Sequence, residues 1–331
     1  MKILVVDDDF TALSLIETAL SAYGFSDVTS ASSAAAAFQI IQDKTHHFDC
    51  FLLDYRMPDI DGAQLCAQIR LLRHYRSTPI IFVTAASDRS SINTAYSVGA
   101  VDYVSKPIDP QEIAIRVSIA EKLALEARAK SEKEPALGIN RGRSGRFPHF
   151  EIEDPVPIFN VKGVTGRLAL DNYIQAIAKS DPHDFAVSAI AINGYEKIHH
   201  TLSPAMAYAV ISEFAKIISE SLKRSEGLIS YNGYGEFICV SKNTDLSENS
   251  GHARRINSRI ARLRLASEDG ESINASVSIG KSVQAPDCVG RTPAEIIEAA
   301  LMSANSSDHI FRSPATTGGS LESCRSPFLN L

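Results

Sequence analysis

The chain has 331 residues, 44% of them hydrophobic and 22% charged, with a formal net charge of -6. That length predicts two domain cores, and that balance is of an ordinary soluble globular protein, against bulk disorder, a membrane class or a nucleic-acid-binding face. Cys50, Cys66, Cys239, Cys288 and Cys324 are scattered without a CxxC pair, which argues against a zinc site or a disulfide framework and fits a reducing cytoplasm.

In chain order, short β-rich runs at 3–6, 28–30, 50–53, 80–83 and 101–104 alternate with helical patterns such as 11–23 and 63–74. The alternation predicts five βα units and a parallel sheet covered by helices. The first run is cut off by Asp7, Asp8 and Asp9, far short of a signal or membrane-spanning segment. A last helix is predicted from Pro110 to about residue 134. Prolines, glycines and the cluster Arg141, Arg143 and Arg146 then break every periodicity over 131–157, which reads as a solvated basic linker.

Beyond the linker, helices are predicted at 168–178, 204–222, 252–265 and 293–304. Strands are predicted at 185–192, on either side of Gly233, and at 274–282. That mixture predicts an α+β sheet layer with a hairpin near Gly233. From Ser313 the chain is rich in Ser, Gly and Pro and reads as a disordered tail.

The residues that follow the first five strands carry the chemistry. Ligands of an open parallel sheet collect at the carboxyl ends of its strands. There the sequence places Asp7 and Asp8, Asp54, Thr84 and Lys106. Three carboxylates in one crevice repel unless a cation sits among them, and hard oxygen ligands suit Mg²⁺. A carboxylate nucleophile, a divalent ion and a positioned ammonium are the parts that phosphoryl transfer to Asp requires. Alone, Asp9 reads as a helix cap and Asp59 and Asp61 as turn residues.

Asp7-Asp8, Asp54 with Met57-Pro58 and Asp61-Gly62, Thr84-Ala85, and Asp102-Tyr103 with Lys106-Pro107 resemble the receiver domains of two-component response regulators. The resemblance implies a flavodoxin-like, doubly wound α/β fold of the CheY-like kind. It makes Asp54 the phospho-acceptor, with Asp7, Asp8, Asp54 and the backbone carbonyl of Arg56 as the Mg²⁺ set. It makes Lys106 the phosphoryl contact, and Thr84 and Tyr103 the switch pair. A cis peptide is expected at Lys106-Pro107.

In the second half, Gly233-Tyr234-Gly235-Glu236-Phe237 stands where diguanylate cyclases carry GGDEF, and 189–198, 274–280 and 297–304 extend the likeness over about 158–310. The resemblance implies an α+β fold of the ferredoxin-like, nucleotidyl cyclase type. Against that family's pattern, the metal-binding Asp aligns with Ala191 and the third signature residue is Gly235. The guanine-reading positions align with His199 and Tyr208, and the phosphate-binding ones with Asn305 and His309. Glu236 alone remains of the acidic pair. A degenerate domain that is not an enzyme is therefore expected. In the inhibitory RxxD, the sequence reads Arg224-Ser225-Glu226-Gly227, leaving Arg224 as a weak cyclic di-GMP candidate against the reading of a helix-end surface arginine. Adjacent on a helix, His199 and His200 make a poor ligand pair.

Together these readings predict a cytoplasmic response regulator with domains at 1–130 and 158–312, a linker at 131–157 and a tail at 313–331. Its expected partners are a histidine kinase or phosphotransfer protein and a second copy of the chain, with no DNA and no membrane. The alternatives are an effector that binds GTP or cyclic di-GMP, and a residual diguanylate cyclase. Ile113, Val117, Ala120, Leu123 or Ala124, and Ala127 have the spacing of a helical dimer seam, with burial on their own sheet as the competing reading.

Overall fold

The computed structural model describes residues 1–43, 47–85, 89–133, 150–158, 161–222, 227–242, 246, 251–263, 265 and 272–304. In the first half the elements are β1 (Ile3–Val6), α1 (Phe10–Ala22), β2 (Val28–Ala31), α2 (Ala34–Gln42), β3 (Cys50–Asp54), α3 (Gly62–Leu71), β4 (Ile80–Thr84), α4 (Arg89–Ser97), β5 (Asp102–Ser105) and α5 (Pro110–Lys133). The strands form one parallel sheet in the order β2-β1-β3-β4-β5. Successive side chains of a strand point to opposite faces, so continuous apolar runs are buried on both. Leu4, Val6, Phe51, Leu53 and Phe82 join α2, α3 and the end of α4. Ile3, Val5, Leu52 and Val83 join α1 and α5. Ile113, Val117 and Ala120 lie in that second cluster, so the reading of burial on their own sheet holds for these three.

The local capping signals act as expected. Asp9 accepts from Thr11 N at 2.8 Å at the start of α1. Asp61 does more than shape a turn: with Gln64 it forms a capping box that starts α3, satisfying backbone donors that the first helical turn leaves over.

The second half contains α6 (Arg167–Ser180), β6 (Ala186–Ile192), α7 (Tyr195–Thr201), α8 (Pro204–Ser221), β7 (Leu228–Gly233), β8 (Glu236–Ser241), α9 (His252–Ile260), β9 (Val277–Ile279), β10 (Val283–Gln284), α10 (Ala285–Cys288) and α11 (Pro293–Ala304). Its antiparallel sheet runs β10-β6-β8-β7, with β9 also paired to β6. One face is covered by α8 and α9 through residues such as Phe214, Ile218 and Ile256. The other is covered by α6 and α11 through Leu170, Tyr173, Ile296 and Ala300.

That second cluster does not stop at the end of the domain. Ile92 and Tyr96 of α4 belong to it, and Tyr103 of β5 packs against it. Tyr96 and Tyr173 are both fully buried, with ring centroids 5.5 Å apart at 64°. An edge-to-face pair of this kind contributes about 0.5–1.5 kcal/mol beyond the area it buries. Asn172 Nδ2 donates to Val101 O at 3.0 Å, and Tyr173 Oη donates to Asn93. The two halves are thus joined along the α4–β5 edge of the first sheet.

Candidate functional site: an acidic crevice at the strand ends

The strand order brings the chemistry together. β1 and β3 are neighbours, with Val6 opposite Leu53, so the residues that follow them, Asp7 and Asp8, adjoin the end of β3 at Asp54. On the other side Asp54 pairs with Val83 and Thr84 with Ser105, and Lys106 follows β5. One ligand oxygen each from Asp7, Asp8 and Asp54 lies within 4.8 Å of the others. Lys106 Nζ is 2.7 Å from Asp7 Oδ2 and 3.0 Å from Asp54 Oδ1.

Two of the three carboxylates are held by backbone N–H groups. Asp9 N donates to Asp7 Oδ1 at 3.0 Å, and Arg56 N donates to Asp54 Oδ2 at 3.1 Å. Asp7 and Asp54 are buried, while Asp8 is exposed. Burial raises the Asp54 carboxyl above its ordinary value, with Lys106 opposing the rise and Asp7 adding to it. For Lys106 burial works the other way, but hydrogen bonds and attraction from Asp7 and Asp54 prevail and the ammonium is raised. The result is a carboxylate beside a fixed cation, with the exposed Asp8 at its solvent side.

Thr84 is buried at the end of β4, and Tyr103 is half-buried on β5. Lys106-Pro107 is cis, as expected. Gly62 belongs to the motif read from the sequence, but its reason is visible only in space. A Cβ there would lie 2.1 Å from the carbonyl oxygen of Asp54, so α3 can start against this strand end only with glycine.

Four observations decide the family. Residues 3–118 match the response regulator receiver domain, and residues 163–307 match the diguanylate cyclase GGDEF domain. A chemotaxis protein CheY homolog of Campylobacter jejuni subsp. jejuni serotype O:23/36 (strain 81-176) is 32% identical over 111 residues, covering 34% of this chain and 85% of that protein. The site above supplies the matching acidic crevice. The chain belongs to the response regulator receiver family. The probable transcriptional regulator ycf27 of Porphyridium aerugineum is 40% identical to this response regulator over 116 residues, 35% of this chain and 46% of that protein. The transcriptional regulatory protein YvrH of Bacillus subtilis (strain 168) is 31% identical over 133 residues, 40% and 54% respectively. The chain thus spans about half the length of these two relatives.

The expectation that the chain is not an enzyme is corrected by the match of residues 163–307 to the diguanylate cyclase GGDEF domain, with which a cyclase is consistent. Substitutions at individual signature positions were the ground for that expectation, and they do not outweigh a match over the whole domain. Around the signature, Gly235 has φ +74 and a Cβ there would lie 2.4 Å from Tyr195 Cγ. Glu236 is buried opposite Ala191 in the sheet and accepts from Asn232 Nδ2 at 3.2 Å. Arg167 at the start of α6 donates to Asn232. His199 packs against Phe150 and Tyr195 while His200 is exposed, and Tyr208 Oη donates to Pro157 O at 3.0 Å. Arg224, Asn305 and His309, the tail, the Arg141, Arg143 and Arg146 cluster and the side chain of Ala127 lie outside the described residues. No helix among the described residues is long and apolar enough to cross a membrane.

Proposed function

We propose that this response regulator accepts a phosphoryl group on Asp54 from a histidine kinase or phosphotransfer protein, and that the modified receiver controls its GGDEF domain. The carrying observation is the single crevice in which Lys106 reaches both Asp7 and Asp54 while Asp8 completes an acidic cluster. In the reaction an Asp54 oxygen attacks phosphorus. The acyl-phosphate bond forms as the phosphorus–nitrogen bond of phosphohistidine breaks, and the imidazole leaves with the electron pair. Lys106 neutralises charge on the incoming group, and the Arg56 N–H orients the attacking carboxylate.

Asp7, Asp8, Asp54 and the Arg56 carbonyl are the residues that would hold Mg²⁺. All are hard oxygen donors, which fits that ion, and bound there it would supply charge neutralisation for the phosphoryl oxygens. Thr84 then turns its hydroxyl toward the new oxyanion, and Tyr103 fills the vacated space. The receiver occupies 1–130, a linker 131–157 and the output domain 158–312. The output acts through contacts, with a partner protein or with a second copy of the chain. The family match favours a second output, joining two GTP into cyclic di-GMP with release of two pyrophosphates.

Radiolabelled phosphodonor tests the first step. Wild-type protein takes label in Mg²⁺ and Asp54→Asn does not; label retained by Asp54→Asn ends the proposal. A cyclic di-GMP assay with Mg²⁺ and GTP, with and without phosphodonor, separates the outputs. Product identifies the cyclase, and its absence from the labelled protein leaves signalling by contact.

A further inference from the structure

The stretch that leads into the output domain lies across its signature turn. Gly233 has φ +88, and a Cβ there would lie 2.2 Å from the carbonyl oxygen of Glu153. The glycine lets one backbone run directly against another, and the backbone that fills the space is the chain's own. Tyr234 N donates to Ile152 O at 2.6 Å. Phe150 is 3% exposed and packs edge-on against His199, with 5.5 Å between ring centroids. Val156 and Ile158 are buried in the same cluster, Ile152 packs against it, and Tyr208 Oη of α8 donates to Pro157 O at 3.0 Å. Residues 150–158 thus touch the signature turn, α7 and α8 at once.

We propose that residues 150–158 are an autoinhibitory strap: they lie in the groove between the signature turn, α7 and α8, and they must lift before GTP can enter it. The proposal rests on the cyclase reading of this domain, in which the signature turn and the guanine-reading positions, His199 and Tyr208, are where the nucleotide binds. Each of the three is in contact with the strap. The strap also has the chemistry of what it excludes. Phe150 sets an aromatic ring against His199, and Glu151, Glu153 and Asp154 follow it with three carboxylates, as phosphates follow the base of a nucleotide. Like charges so close repel, so the triphosphate and the strap exclude each other by charge as well as by volume. The acidic stretch holds its own shape: Glu151 N donates to Asp154 Oδ2 at 2.9 Å, and Asp154 N donates to Glu151 O at 3.1 Å. It therefore leaves the turn as a unit.

Calorimetry on the full chain with Mg²⁺ and 3′-deoxy-GTP, which lacks the attacking hydroxyl, tests the strap. A strap closed in roughly 90–99% of molecules weakens nucleotide binding by about 10–100-fold. Phe150→Ser removes the ring against His199 and is expected to bind 3′-deoxy-GTP more tightly by that factor. A second measurement needs no variant. At saturating 3′-deoxy-GTP the wild-type Tyr234 amide, held by Ile152 O, exchanges faster while β6 and β8 keep their protection. Equal affinity of wild type and Phe150→Ser, or binding that leaves the Tyr234 amide protected, overturns the strap and leaves the cyclase reading intact. No binding by a Phe150→Ser protein whose Tyr234 amide exchanges fast and whose β6 and β8 stay protected overturns the cyclase reading and the strap with it. If Phe150→Ser loses protection in β6 and β8, the wild-type exchange decides alone, and a Tyr234 amide that stays protected overturns the strap.

Discussion

Replacing Arg116 by Met isolates the electrostatics around the buried Asp102 beside Tyr103. Asp102 is buried at 4% exposure, yet it carries a charge that Arg116 Nη1 meets at 2.6 Å. Its other partners, Tyr103 N and Tyr96 Oη, are neutral. Removing one member of a buried pair costs about 3–5 kcal/mol, because the remaining charge has lost its compensation. The Arg116 side chain is 23% exposed, so water screens part of the interaction and the lower end, about 3 kcal/mol, is expected. For a domain of this size that corresponds to a fall in Tm of roughly 10 °C. Burial already raises the Asp102 carboxyl despite Arg116, and loss of the guanidinium raises it further. A raised folded-state pKa contributes stability below the unfolded value and loses it as pH rises through the folded one. The deficit of Arg116→Met is therefore largest near neutral pH and shrinks toward the ordinary carboxyl value of 3.8. Adding Asp102→Asn recovers most of it. Circular dichroism melts across that pH span measure both effects. An equal deficit at every pH, or a double variant no more stable than the single, refutes the charge argument and assigns the loss to the arginine stem.

The Asp54 carboxyl is also raised by burial, so the same sign applies: its ionised form weakens the fold at neutral pH. Asp54→Asn is expected to raise Tm near neutrality and to lose that advantage as pH falls toward 3.8; a Tm gain independent of pH contradicts this. Gly62→Ala places a methyl 2.1 Å from the Asp54 carbonyl oxygen and 2.9 Å from the Phe82 ring. The overpacked strand end should lose about 1–3 kcal/mol and slow phosphoryl uptake, and a variant with wild-type melting and labelling rate refutes that reading.

The strands and their terminal residues were legible because buried parallel strands are uninterrupted apolar runs, and polar residues at their ends stand out against them. β1, β3 and β4 were found to within a residue for that reason. The strand expected at 274–282 is instead only Val277–Ile279, with β10 separate. Part of the cause is a side chain: Asn257 of α9 accepts from Val277 N at 2.7 Å and donates to Val277 O at 3.0 Å. It takes the place of a neighbouring strand, which no periodicity reveals. Similarly α9 ends at Ile260 rather than 265. Gly62 was readable as part of a pattern, but the reason for it required the position of the Asp54 carbonyl.

The least legible feature was where each apolar face would be spent. Ile92 and Tyr96 are four residues apart on α4, a spacing that a helix uses equally for its own sheet, a second copy or another domain. The structure spends them on α6, within the cluster that also covers one face of the second sheet. This has an energetic consequence. Because the two domains share a hydrophobic cluster as well as two polar contacts, separating them would expose fully buried rings. Lys106, which reaches Asp54, directly follows the strand that carries Tyr103, and Tyr103 packs edge-on against Tyr96. The residues Lys106, Tyr103 and Tyr96 thus run from the acidic crevice to the cluster that the second domain shares.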